Sequence, residues 1–274
     1  MIGGALNRIF ARCCIVGFTI PVLGPTDFLP SATAQESPPI RVRVWCEGTA
    51  PASIYPEGIN GALAEGLDRH PGLIVQRARL DDESAGLTDA ALDATDVLVW
   101  WSRYRHEEVP DDRVEAIAER VRAGRLGFVA LHASCQSKPF LTLMKGPCEL
   151  GGWRDDGRPE TIAVALPGHP IARGVNPFTL PRSSMYSEPF AVPEPEDVVF
   201  VSHWGDGQSF RSGMTWTVDQ GRVAYFHPGH DQFPILFHPQ VRQIITNAVL
   251  WSSPRALSPT LADREPADSS GQGG

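Results

Sequence analysis

The segment Gly127-Phe-Val-Ala-Leu-His132-Ala-Ser-Cys135-Gln-Ser-Lys138 holds an apolar run, Phe128 to Leu131, closed by a histidine. A run without polar alternation suits a strand buried on both faces, as in a parallel sheet covered by helices. The chain then turns through small and polar residues into Phe140, Leu143 and Met144, which are spaced for one helical face. In open α/β sheets the carboxyl ends of the strands are where ligands bind. His132 is a titratable side chain at that edge, and Cys135 and Lys138 follow within the turn.

The flanking sequence repeats the pattern. On the amino-terminal side, Ile40–Trp45, Leu73–Leu80 and Asp96–Trp101 read as strands. Between the first two, Ile59, Ala62, Leu63 and Leu67 form a helical face stopped by His70-Pro71-Gly72. Asp111 is placed to cap a helix carrying Val114, Ile117, Ala118 and Val121, and Gly124 closes it. Strands alternating with helices of this length predict right-handed crossovers and a three-layer α/β domain, mostly parallel, with helices on both faces.

From Gly151 the pattern changes. Trp153-Arg-Asp-Asp-Gly reads as a turn, and a proline-rich passage holds Met185-Tyr-Ser-Glu188-Pro-Phe190. Glu160–Leu166, Val198–Trp204, Ser212–Thr217 and Arg222–Phe226 read as further strands. Phe226-His-Pro-Gly-His230 is a sharp loop, and Val241, Ile244, Ile245, Ala248 and Val249 share one face of a closing helix.

The 274 residues, 42% hydrophobic, support one sizeable core. Residues 1–34 read as an export signal: Arg8 and Arg12, an apolar stretch Cys13–Gly24, then Ser31-Ala32-Thr33-Ala34 before Gln35. That stretch is shorter than the ~20 residues a spanning helix needs, so no membrane anchor is expected after cleavage. The expected division is 1–34 signal, 35–253 α/β domain and 254–274 a disordered tail rich in Ser, Pro, Asp and Gly. A net charge of −8 without a basic stripe disfavours nucleic acid. Cys46, Cys135 and Cys148 would survive cleavage, and no C-x-x-C pattern is present. Neither a G-x-G-x-x-G nor a P-loop points to a cofactor, which stays unassigned.

His132, Glu188, His227 and His230 are chemically adequate zinc ligands, but their spacing matches no ligand pattern, and no metal is assigned. In amidotransferase-type sheets a cysteine nucleophile occupies a tight elbow directly after the strand. Here that position is His132, and Cys135 comes three residues later.

In order, Leu131-His132, Ser137-Lys138-Pro-Phe140, Leu143-Met144, His169-Pro170-Ile171, Glu188-Pro-Phe190, Phe210-Arg211-Ser-Gly213 and Pro228-Gly229-His230 resemble the trehalose-utilisation (ThuA-like) family, from about Arg41 to Trp251. The resemblance implies a fold similar to class I glutamine amidotransferases without their cysteine. It also implies a link to trehalose and related disaccharides through 3-keto-sugar metabolism. The chain departs from the family pattern with Asn60 and Cys135 where histidine is common, Ser102-Arg103 for Gly-His, and His227 for arginine, while His106 is kept.

The expected activity is acid/base chemistry on a saccharide by a 3-keto-sugar isomerase or lyase type of enzyme. His132 or His230 would be the base and Glu188 the orienting group or acid. Arg211 or Lys138 would balance oxyanion charge. Trp101, His106 and Tyr186 would form the pocket wall. A non-catalytic carbohydrate-binding module on the same fold is the alternative.

Overall fold

The computed structural model describes residues 38–257. Its elements are β1 (Ile40–Cys46), α1 (Gly58–Leu67), β2 (Leu73–Arg79), α2 (Asp89–Asp93), β3 (Val97–Trp101), α3 (Asp111–Arg122), β4 (Gly127–Leu131) and α4 (Lys138–Met144). They continue as β5 (Glu149–Arg154), β6 (Glu160–Val164), β7 (Phe178–Leu180), β8 (Met185–Ala191), β9 (Asp197–Trp204), β10 (Ser209–Val218), β11 (Gly221–Phe226) and α5 (Pro239–Ser252).

Nine strands form one sheet in the order β2-β1-β3-β4-β11-β10-β9-β6-β7. The strands from β2 to β11 in that order are parallel, and the remaining four add antiparallel. β4 sits between β3 and β11, buried along its whole length, as its unbroken apolar run requires.

Side chains alternate between two cores because successive residues of a strand point to opposite faces. Val99, Val129 and Leu131 pack with Ile59 and Leu63 of α1 and Val241 and Ile245 of α5. Leu98, Trp100, Phe128 and Ala130 pack on the other side with Ile117 of α3 and Phe140 of α4. Trp45 and Trp100 stack there with ring centroids 3.7 Å apart. The expected three layers are therefore present.

Asp111 lies in the first turn of α3 and Pro110 holds the cap position, so Asp111 contributes charge at the positive helix end and not a cap hydrogen bond. Gly124 closes that helix in the left-handed region, with φ +65°.

The segment read as a turn at Trp153 is instead the end of β5, which pairs antiparallel with β8 in a separate two-stranded sheet. Gly151 makes that pairing possible: a Cβ there would lie 2.3 Å from the Glu188 carbonyl oxygen. Two adjacent glycines and a proline hide both strands from any reading by alternation.

Beyond α5, residues Pro254–Leu257 form a single 3₁₀ turn, so the ordered domain runs past the boundary expected at 253. Arg255 there donates to the carbonyls of Pro38 (2.5 Å) and Pro39 (2.8 Å) and pairs with Asp96 at 3.0 Å. The export signal at 1–34 and residues 258–274 of the tail lie outside the described residues. Among the described residues no helix is long and apolar enough to cross a membrane.

Candidate functional site

The register of the parallel strands aligns their carboxyl ends. Cys46 of β1 stands beside Trp101 of β3, Trp101 beside Leu131 of β4, and Leu131 beside Phe226 of β11. The residues that follow each strand, Glu47, Ser102–Arg105, His132 and His227–Asp231, therefore leave the sheet from one edge.

His132 takes the first position after β4 with φ +56°. That left-handed conformation is uncommon outside glycine and strained, and such strain clusters at functional sites. Its carbonyl accepts from the Tyr225 hydroxyl at 3.0 Å. Nδ1 lies 3.3 Å from the His227 carbonyl oxygen. A carbonyl can only accept, so Nδ1 carries the proton and Nε2 keeps its lone pair. Burial, reinforced by the neighbouring His227, His230 and Arg103, holds this imidazole well below its usual 6.5. Its ring stacks on Tyr186 at 5.5 Å and meets the edge of His230 at 5.1 Å. Burial also keeps the Tyr186 phenol protonated, pushing it well above its ordinary range.

The loop after β3 is held by Glu47. This fully buried carboxylate accepts the backbone N–H groups of Arg103 (2.9 Å), Tyr104 (2.9 Å) and Arg105 (3.0 Å) and the Thr49 hydroxyl (2.7 Å). The Ser134 hydroxyl ties the same loop to the His132 turn: it accepts from Ser102 N–H and donates to the Trp100 carbonyl. Arg103 is thereby fixed between Asp231 and Asp155 and pairs with both. His230 joins them. Its Nδ1 accepts the Gln232 N–H at 3.0 Å, and its Nε2 approaches Asp155 Oδ1 at 3.0 Å, off the direction of a good hydrogen bond. Burial, then the charge of Arg103, lowers its pKa, while Asp155 and Asp231 work against that shift.

A cleft of about 200 Å³ opens on this arrangement, lined chiefly by Arg103, Tyr104, His132, Trp153, Asp155 and Tyr186. A larger cavity of about 560 Å³ lies beside Asn247, Leu250 and Trp251. The neighbouring Ser252 abuts Gly127 at the start of β4, so that cavity belongs to the opposite edge of the sheet. The smaller cleft is the one at the edge where α/β sheets bind ligands.

Of the residues expected at the site, His132 and Tyr186 line the cleft, and His230 is packed against His132. The other five do not line it. Glu188 lies two residues beyond Tyr186 along β8, roughly 6.6 Å of strand. Its carboxylate is taken up by Arg211 Nε (2.9 Å) and Nη2 (3.1 Å) and by the N–H groups of Arg211 and Phe190. Burial alone would raise its pKa, but these hydrogen bonds hold it below the usual carboxylate range. Arg211 is spent on the same clamp and on the Phe190 carbonyl. Lys138 pairs with Asp111 and donates to the Val109 carbonyl, fastening the start of α4 to that of α3. Trp101 is fully buried, and its Nε1 donates to the Gly229 carbonyl at 2.9 Å, so it anchors the histidine loop from below. His106 bonds Ser102 Oγ through Nδ1 at 2.9 Å and supports the base of its loop.

His227 turns inward, fully buried, with Nδ1 3.3 Å from Glu160 Oε1. Among the described residues, no three His, Cys, Asp or Glu side chains are arranged to hold one metal ion. Cys46, Cys135 and Cys148 are buried thiols without a disulfide, and burial pushes the Cys135 thiol up to about 12. That is far from the thiolate a nucleophile needs.

Arg103, Asp155, Asp231, Glu47 and Trp153 were not anticipated. Arg103 had a signal, since Ser102-Arg103 departs from the family pattern at the end of an apolar strand. Asp155 had none, because Asp-Asp-Gly reads as an ordinary turn.

A family model described as "ThuA: Trehalose utilisation" matches residues 41–252. A ThuA-like protein of Bacteroides uniformis is structurally similar, with a TM-score of 0.58 and 16% identity over 82% of this chain and 95% of its own. A ThuA-like protein of Parabacteroides merdae gives 0.59 and 14% over 78% and 90%. A cytoplasmic protein of Salmonella typhimurium gives 0.54 and 14% over 78% and 100%. At these identities the likeness shows the fold alone: an α/β domain shared with ThuA-like proteins. No curated protein matches the sequence.

Proposed function

Since the chain belongs to the trehalose-utilisation (ThuA) family, we propose that it acts on a saccharide, trehalose or a related disaccharide or its 3-keto derivative, with His132 as the general base. The observation that carries this reading is the fixed tautomer of His132: Nδ1 held by a backbone carbonyl, Nε2 unprotonated, on the wall of a cleft. The walls suit a sugar. Arg103 and Asp155 present a donor and an acceptor side by side, matching neighbouring hydroxyls, and Tyr104, Trp153 and Tyr186 offer ring faces for C–H surfaces.

In a keto sugar, Nε2 would take the proton from the carbon beside the carbonyl. The C–H electron pair would move into the ring carbon bond and the carbonyl electrons onto oxygen, giving an enediolate. Arg103, among the described residues the one arginine or lysine on the cleft wall, and the neutral Tyr186 hydroxyl are the donors for that oxyanion. Return of the proton to the neighbouring carbon completes an isomerisation, and expulsion of a leaving group from the next carbon completes an elimination. His230, beside Asp155, takes the second acid/base role first assigned to Glu188.

We further propose that the protein is exported and has no nucleic-acid partner, on the character of residues 1–34 and the net charge of −8. The test of the activity is incubation of purified protein with trehalose and 3-keto-trehalose, with products followed by mass and NMR. In deuterated water, exchange at the carbon beside the keto group is expected for wild type and not for His132→Asn. No exchange and no new product with either sugar would overturn the reading.

A further inference from the structure

We propose that the cleft is the inner half of a two-ring site, and that Trp153 and Tyr104 form an outer subsite for the second hexose of a disaccharide; this rests on the saccharide reading above. At about 200 Å³ the cleft falls short of the ~300 Å³ at which pockets for ordinary small-molecule ligands begin. It takes one sugar ring, and the rest of a disaccharide must leave through the mouth.

The mouth is aromatic. Trp153 is 65% exposed and Tyr104 62%, and both line the cleft. Among the described residues Trp153 is the one tryptophan with a mostly exposed ring, and with Tyr104 it makes an aromatic patch at the mouth. Strand register shows why the two sites are continuous. Trp153 of β5 pairs directly with Tyr186 of β8, and directly opposed residues of an antiparallel pair project from the same face, with Cβ atoms about 5 Å apart. Tyr186 reaches inward to stack on His132, while Trp153 stays outside. One face of the β5–β8 pair thus carries a ring beside the base and a second ring at the rim.

Tyr104 adds a second exposed ring to the lining, and the guanidinium of Arg103 covers one face of it at 4.6 Å. Arg103 and Asp155 lie between the two subsites, where polar groups can receive hydroxyls of either ring. A flat apolar ring face flanked by fixed donors and acceptors suits a pyranose, which has a C–H face and a hydroxyl rim.

The site is then specific for a terminal unit linked to one further ring. The inner ring is read by polar contacts beside His132, and the outer ring is held by stacking, which tolerates differences in linkage and hydroxyl orientation.

The experiment compares trehalose with glucose by calorimetry on the full chain, and follows protection of tryptophan fluorescence from acrylamide. Wild type is expected to bind trehalose about tenfold more tightly than glucose, the increment of one aromatic stacking contact. Trehalose, and not glucose, should shield the exposed indole. In Trp153→Ala the trehalose-over-glucose ratio should fall to about one, and Trp153→Tyr should restore most of it. Trp153 is exposed, so its truncation leaves the core intact, and an unchanged melting temperature checks this. Equal affinities in wild type, or a ratio that survives Trp153→Ala, would overturn the outer subsite while leaving the saccharide reading intact. Binding of neither sugar would overturn both.

Discussion

The two walls of the cleft are built in different ways. His132 and Arg103, with His230 packed against His132, follow the ends of parallel strands buried on both faces. The His227 carbonyl holds His132, the buried Glu47 carboxylate holds the Arg103 backbone, and the Gln232 N–H of its own loop holds His230. Tyr186 and Trp153 come from the separate two-stranded sheet of β5 and β8, which has one half-exposed strand and two adjacent glycines, and Asp155 directly follows β5. This small sheet touches the site through the ion pair of Asp155 with Arg103 and the stack of Tyr186 on His132. The difference separates two tasks. The large sheet supplies the group whose position and proton must be fixed, and the small sheet supplies the surfaces a substrate meets first.

The comparison predicts unequal costs. The largest effect belongs to His132→Asn, which keeps some hydrogen bonding but removes the base. Turnover should fall about 10²–10⁴-fold with sugar affinity nearly unchanged. Steady-state rates and calorimetry on one preparation check this, and a loss confined to affinity would mark a binding module instead.

Next, Phe128→Ala in β4 should cost about 3–5 kcal/mol in denaturant unfolding, because it opens a cavity in a closed core. Glu188→Ala on the partly exposed β8, which frees Arg211 of β10, should cost about 1 kcal/mol. Equal losses would mean that the small sheet is as integral to the fold as the large one.

The third concerns pH. His132 and His230 have folded pKa values lowered from 6.5, so below pH 6.5 the unfolded chain binds protons that the folded chain refuses. Stability should therefore be full above that pH and decline as pH falls through 6.5 toward the folded values. Because the base stays unprotonated over that interval, kcat/KM should hold its plateau below pH 6.5. An acid limb centred at 6.5 would assign catalysis to an unperturbed histidine instead. The smallest effect is that of Cys135→Ala, which should leave turnover within about threefold, since a thiol held near 12 takes no part at neutral pH.

The same contrast explains how much was legible in the sequence. Apolar runs such as Phe128–Leu131 and Val97–Trp101 announce buried parallel strands, and from those strands follow the edge, His132 and the loop holding His230. The β5–β8 pair follows no such rule. Gly151-Gly152 and Pro189 erase alternation, so Trp153 and Asp155 pass for a turn. Glu188 attracts notice as a carboxylate among site-like residues, yet two positions of strand rise and an arginine opposite decide its role. Trp101 errs in the opposite sense: a tryptophan at a strand's end invites a sugar, and its burial under Gly229 is a tertiary fact. Arg103, flagged as a departure from the family pattern, proved to be the hub of the charged cluster.

The strap made by Arg255 has a practical consequence. It brings the two ends of the described fold within hydrogen-bonding distance at the side of the sheet where Asp96 precedes β3, away from the cleft. A short linker from 257 back to 38 would close the domain into a ring. New ends could then be cut elsewhere, at the exposed turn around Gly168 for example. Either junction would also serve to tether the domain to a bead, an electrode or a second enzyme with its cleft facing outward, so a sugar sensor or a two-step catalyst can be assembled without obstructing the mouth.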